Sequence, residues 1–179
     1  IFLHPARGPN FSDYLSEEVS KFELWWTFGW TYESSVAMAR IVFSGIFDKL
    51  PDIKILTHHL GAMVPYVEGR VGYGQDQMGS RTPGDDLTNL RLSLKKRPID
   101  YFKMFYADTA TFGSLGAMQC GLDFFGPERC MYASDCPFDP EGGTLYIRET
   151  MSALDNVRIE EEARANIYQH NARKFLKLK

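Results

Sequence analysis

The sequence predicts an α/β fold of parallel strands alternating with helices, four strand–helix units in all. Two observations carry that expectation. Short β-rich segments alternate with helical patterns at spacings of roughly 25 to 55 residues, and such alternation means parallel strands joined by right-handed crossovers. The strand candidates also end alike, on histidine or aspartate: His4, His58 with His59, Asp108, and Asp135. Four such units are half of a (β/α)8 barrel, in which catalytic groups stand at the C-terminal ends of strands.

"IFLH" is short and apolar and stops at Pro5, so it reads as a strand closing on a histidine. Residues 6–33 read as irregular and rich in rings. Their run "FELWWTFGWTY" holds all three tryptophans beside Gly29 and suits core, the wall of a pocket or a subunit contact. Ser34 is a plausible N-cap for "SVAMARIVFSGIFDKLP", where Val36, Met38, Ile41, Val42 and Phe47 fall near helical spacing and Pro51 marks the end. "IKILTHH" is β-rich and stops at His58 and His59, and "LGAMVPYVEGRVGYGQDQM" predicts the helix that follows. A loop with "RTPGDD" leads to the third strand, "MFYADTA", ending at Asp108. "GSLGAMQCGLDFFG" predicts a short helix closed by Gly126, and "RCMYASD" predicts the fourth strand. In "IEEEARANIYQHNARKFLKL" acids fill the first turn and bases the last, which suits the dipole of a final helix.

Composition excludes several functions. With 179 residues, 44% hydrophobic and 24% charged, the chain can build one domain with a sizeable core. A net charge of −3 supplies no field to hold nucleic acid or an anionic membrane. The basic run "LKKRP" reads as a solvated loop or helix end. No apolar stretch approaches the ~20 residues of a membrane span. Cys120, Cys130 and Cys136 are odd in number and lack zinc-finger spacing, which argues against a disulfide framework and fits a reducing cytosol. Cys136, beside Asp135, reads as a spare small residue or a reactive thiol. No strand is followed by G-x-G-x-x-G, so a Rossmann nucleotide site is not supported. The opening "IFLHP" starts inside a strand pattern without methionine, and the chain is expected to be the later part of a longer one.

The strand ends carry the chemistry. Adjacent residues of a strand point to opposite faces, so only one of His58 and His59 can face a barrel axis. A strand that delivers Asp135 and is stopped by Pro137 is a poor setting for a purely structural acid, because burying a carboxylate is costly without compensation. Imidazole nitrogen with carboxylate oxygen is the donor set of catalytic zinc and similar ions. Such an ion lowers the pKa of its water toward ~7, and a nearby histidine can move protons.

The segments "FLHP", "ILTHHLGAMVPYVEGRV", "FYADTA", "RCMYASDCPFDP" and "IYQHNARKFL" resemble the amidohydrolase-related family over nearly the whole chain. The resemblance is to the branch typified by aminocarboxymuconate-semialdehyde decarboxylase and the resorcylate- and vanillate-type decarboxylases. "H-L-G-x-x-x-P" and "S-D-x-P-F" are its specific parts. It implies a metal-dependent barrel enzyme, with His4 and Asp135 as metal ligands and His59 as the acid/base group. Arg70 matches an arginine that in some members reaches into the neighbouring subunit to hold a substrate carboxylate, so the expected assembly is a homo-oligomer, a dimer. His58 has no counterpart and reads as structural. Asp108 fits a common D-T position and stays outside the catalytic set. The family's first-strand H-x-H or E-x-H pair, with strands one to four, has no match here. Residues 1–179 are therefore expected to be the C-terminal part of one barrel domain, with a fuller chain or a partner completing it.

The reading that follows is a cytoplasmic enzyme with one divalent ion, zinc first and manganese as an alternative. Its expected reaction is decarboxylation of a small aromatic or unsaturated carboxylate, held by Arg70 and stacked near Trp30. Hydrolysis of a C–C, ester or amide bond is the alternative from the same donor set. A non-catalytic barrel fragment acting as a binding module is the alternative of another class.

Overall fold

The computed structural model describes residues 1–82 and 86–178. The loop expected around "RTPGDD" falls partly on residues 83–85, outside the described residues. Four strands form one sheet in the order β1 (Phe2–Leu3), β2 (Leu56–Thr57), β3 (Tyr106–Asp108), β4 (Cys130–Met131). β2 and β3 run parallel with Thr57 opposite Ala107, and β3 and β4 run parallel with Asp108 opposite Met131. The expected α/β alternation is thus present.

The strands are shorter than the β-rich segments, for visible reasons. Past Thr57, His59 and Leu60 take left-handed φ values of 57° and 48°, which no ladder accommodates. Past Met131, the Tyr132 amide donates to the Ile167 carbonyl and the Ala133 amide to Thr109 Oγ1, so the backbone leaves the sheet for other acceptors.

Two compact units share the chain. The first contains residues 1–2, 52–60 and 103–179, and the second residues 3–51 and 61–102. In the first, Leu56, Ala107 and Cys130 of the strands are buried, as are Ile55 and Phe105 just before β2 and β3. So are Met118, Leu122 and Phe125 of α6 (Leu115–Phe125), Ala153 and Leu154 of α7 (Thr144–Asn156), and Ile167. Ser114 caps α6 by accepting from the Ala117 amide, and Gly126 closes it, as expected. The C-terminal helical run comprises α8 (Glu161–Ala165), a wide turn over Asn166–His170, and α9 (Asn171–Leu176). α7 was not expected from the sequence; only Thr150, Ala153 and Leu154 of it are buried, which leaves too narrow an apolar stripe to stand out.

In the second unit the aromatic run is helical rather than irregular: α1 spans Leu24–Thr27 and α2 spans Gly29–Phe43. Ser34 is therefore no cap but a buried residue inside α2. The long helix expected to Pro51 breaks at Gly45, whose φ of 69° glycine adopts without strain, and resumes as α3 (Ile46–Lys49). The helix expected over 60–78 is reduced to turns and a short helical stretch with a wide turn at Arg70–Gly74, because Leu60 and Ala62 have positive φ. α4 (Leu87–Ser93) and α5 (Pro98–Phe102) flank the basic run, which is a loop between them. The core gathers Met38, Val42, Phe47, Tyr101 and Phe102, and the Tyr101 hydroxyl donates to Asp48 Oδ1 at 2.6 Å. Among the described residues, no helix is long and apolar enough to cross a membrane.

Candidate functional site

In the first unit the ends of two adjacent strands, β2 and β3, converge on one carboxylate. Asp108 closes β3 and is 3% exposed. Its Oδ1 accepts from the His59 amide at 2.8 Å and from the Ala110 amide at 3.1 Å. Its Oδ2 lies 2.5 Å from His58 Nδ1. These partners compensate the burial of a charged group. The hydrogen bond to Asp108 raises the pKa of His58 above its ordinary 6.5 against an opposing effect of burial, and the charges of Asp108 and Asp135 add to the rise.

His59 leaves β2 in the left-handed region. Its ring Nδ1 lies 2.8 Å from the carbonyl oxygen of Ala110. A carbonyl only accepts, so Nδ1 carries the hydrogen and the lone pair of the neutral ring sits on Nε2. The His59 ring lies 5.5 Å from that of Phe112, which lies 4.6 Å from that of Tyr146 on α7. Burial raises the pKa of the Tyr146 hydroxyl, and the charges of Asp135 and Asp139 act in the same direction.

Asp135 lies four residues beyond β4, half-buried, with φ 66°. His59, Phe112 and Asp135 are all non-glycine residues with positive φ. Such conformations are unfavourable for L-residues and persist where the surroundings hold them, commonly at functional sites. Asp139, the other acid of "SDCPFD", is structural. Its buried carboxylate accepts from the Glu141 amide at 2.7 Å and the Tyr146 amide at 3.1 Å, at the start of α7. Burial alone would raise its pKa, but these backbone bonds more than offset that and hold it below the ordinary carboxylate value.

The other residues expected from the sequence lie in the second unit. His4 is exposed, and its Nδ1 lies 2.7 Å from the carbonyl oxygen of Pro5, so this ring too carries its neutral lone pair on Nε2. Trp30 donates from Nε1 to the Arg7 carbonyl at 2.8 Å and meets the rings of His4 at 5.6 Å and Trp25 at 5.4 Å. Its edge is thus engaged in structure. Arg70 is exposed at the start of the wide turn over Arg70–Gly74.

The donors suit a divalent ion in kind. A histidine with Nδ1–H fixed on a carbonyl is oriented as metal-binding histidines are, and Asp135 is a carboxylate of the kind such ions take. Among the described residues, no three His, Cys, Asp or Glu side chains form a ligand cluster.

His58, which the sequence assigns a structural part, and Asp108, which it leaves outside the catalytic set, stand 2.5 Å apart, Nδ1 to Oδ2.

A family model described as Amidohydrolase matches residues 1–178. Gamma-resorcylate decarboxylase of Polaromonas sp. (strain JS666) is 28% identical over 180 residues, covering 99% of this chain and 50% of the relative. The enzyme of the same name from Rhodococcus jostii is 27% identical over 180 residues with the same coverage. A solved structure of 5-carboxyvanillate decarboxylase from Novosphingobium aromaticivorans, complexed with manganese and 4-hydroxy-3-methoxy-5-nitrobenzoic acid, matches with a TM-score of 0.75 and 26% identity, over 99% of this chain and 47% of that one. The chain spans about half the length of the curated relatives it matches. The match and the parallel sheet fit a partial (β/α)8 barrel.

Proposed function

The chain belongs to the amidohydrolase family, and we propose that it is the C-terminal part of a metal-dependent carboxy-lyase acting on a small aromatic or unsaturated carboxylate. The observation that carries the proposal is the setting of His59: Nδ1–H is fixed on the Ala110 carbonyl at 2.8 Å, which orients the ring and puts its exchangeable lone pair on Nε2. Loss of CO2 breaks a C–C bond and needs a proton at the carbon that is left. A histidine that has first taken up a proton on Nε2 delivers it to that carbon and returns to the neutral ring, a contribution worth roughly 10²- to 10⁴-fold. The curated relatives named above are decarboxylases, which supports this reaction over hydrolysis.

His4 and Asp135 are proposed as ligands of one divalent ion, with the remaining ligands supplied from outside this chain. Zinc suits the donors, and manganese is the ion in the Novosphingobium structure. Bound there, such an ion would polarise the substrate and lower the pKa of water. Arg70 is proposed to hold the substrate carboxylate as a bidentate clamp across a dimer, with Trp30 beside the ring. The cysteine pattern supports a cytoplasmic protein.

The test is CO2 release by the whole protein from a panel of aryl carboxylates, with His59→Asn alongside. Release that disappears in the variant supports the proposal. Cleavage products without CO2 would replace the lyase with a hydrolase, and no turnover with any substrate at full metal occupancy would favour a binding module.

A further inference from the structure

We infer that Asp108 is the positioning residue of this site, one buried carboxylate that sets the backbone of His59 and the ring of His58 together. The inference rests on the reading of His59 as the proton-transfer group. Both oxygens of Asp108 are engaged inside the protein: Oδ1 by the His59 and Ala110 amides, Oδ2 by His58 Nδ1. At 3% exposure the carboxylate is enclosed by these partners, so it acts through its neighbours.

Oδ1 joins the ends of two adjacent strands. It binds the amide of His59, just past β2, and the amide of Ala110, just past β3. Those same two residues make the ring contact, His59 Nδ1 to the Ala110 carbonyl at 2.8 Å. Fixing both amides on one oxygen brings that carbonyl under the imidazole, and this selects the tautomer with its lone pair on Nε2. The left-handed conformation of His59, φ 57°, is held by the same bond. Oδ2 does for the His58 ring what the carbonyl does for His59. An acceptor at Nδ1 orients the ring and keeps hydrogen on that nitrogen.

Two substitutions separate these roles. Asp108→Asn keeps the shape and an oxygen acceptor for the two amides, but presents an NH2 group to His58. Ring ¹⁵N shifts of the whole protein should then show His59 still protonated at Nδ1 and His58 moved to the other tautomer. Asp108→Ala removes both anchors. The His59 ring should lose its single tautomer, and kcat should fall on the order of 10²-fold with little change in KM, as expected when a group is misplaced for proton transfer. Unchanged ring shifts at both histidines in Asp108→Asn would overturn the inference, and that variant carries the test if Asp108→Ala does not fold. Unchanged kcat in folded Asp108→Ala would overturn it as well. If His59→Asn keeps near-normal turnover, the proton-transfer reading fails while the ring shifts still decide the role of Asp108.

Discussion

His58 Nδ1 and Asp108 Oδ2, from the ends of neighbouring strands, stand 2.5 Å apart, and the hydrogen bond between them raises the pKa of His58 above 6.5. The ring also faces the charge of Asp135, the ring of His59 at 6.1 Å and the ring of Phe2 at 6.3 Å. A raised folded-state pKa means that the folded protein holds this proton more tightly than the unfolded chain. The stabilisation is complete below the ordinary value of 6.5 and is lost as pH rises through the folded value. The melting-temperature gap between the wild type and Asp108→Asn should therefore be widest below pH 6.5 and narrow as pH rises through the folded value. A gap that widens toward alkaline pH would contradict the pairing.

His59→Asn removes the ring but leaves the backbone amide that Asp108 holds. Turnover should fall roughly 10²- to 10⁴-fold, with bound metal and melting temperature little changed. Single-turnover kinetics beside metal analysis would check both halves of the expectation. Near-normal turnover would make His59 a structural histidine.

Asp135→Asn tests the proposed ligand. A carboxylate exchanged for an amide keeps its volume and loses its charge, so metal retention and activity should be lost with modest loss of stability. Plasma mass spectrometry of protein purified without chelator would measure the metal directly. Full occupancy in the variant would remove Asp135 from the ligand set.

The strand ends were legible in the sequence because proline and polar residues punctuate β-rich runs. His4 after β1 and Asp108 closing β3 lie where "IFLHP" and "MFYADTA" put them, whereas β4 stops at Met131, four residues short of the Asp135 on which "RCMYASD" was expected to end. Helix starts were less legible. Ser34 has the chemistry of a cap, but the helix begins at Gly29 and buries Ser34 within it beside Met38 and Val42, so packing overrides local propensity. The pairing of His58 with Asp108 could not be read at all. It joins residues fifty positions apart and depends on the register that sets β2 against β3.

Gly121 and Gly116 lie on the same helix, and alanine should act on them with opposite sign. A Cβ at Gly121 would stand 2.8 Å from both Cβ and Cδ1 of Leu60 and 2.9 Å from its Cγ. Leu60 is 2% exposed and follows His59 directly. Rotating its side chain relieves Cγ and Cδ1 but not Cβ, so the backbone of the corner must move. Overpacking of this kind costs about 1–3 kcal/mol, and the displacement reaches His59, the adjacent residue in the chain. Gly121→Ala should lower the melting temperature by several degrees, at about 2–4 °C per kcal/mol for a chain of this size, and should reduce turnover measured well below that temperature. At Gly116, in the first turn of α6, a Cβ meets nothing within 4 Å. There alanine removes backbone freedom from the unfolded chain and favours the helix, a gain of roughly 0.5–1 kcal/mol. Thermal melts and turnover of the two variants, measured side by side, give the check. Equal effects at both positions would mean that the contact between Leu60 and α6 does not hold the His59 corner.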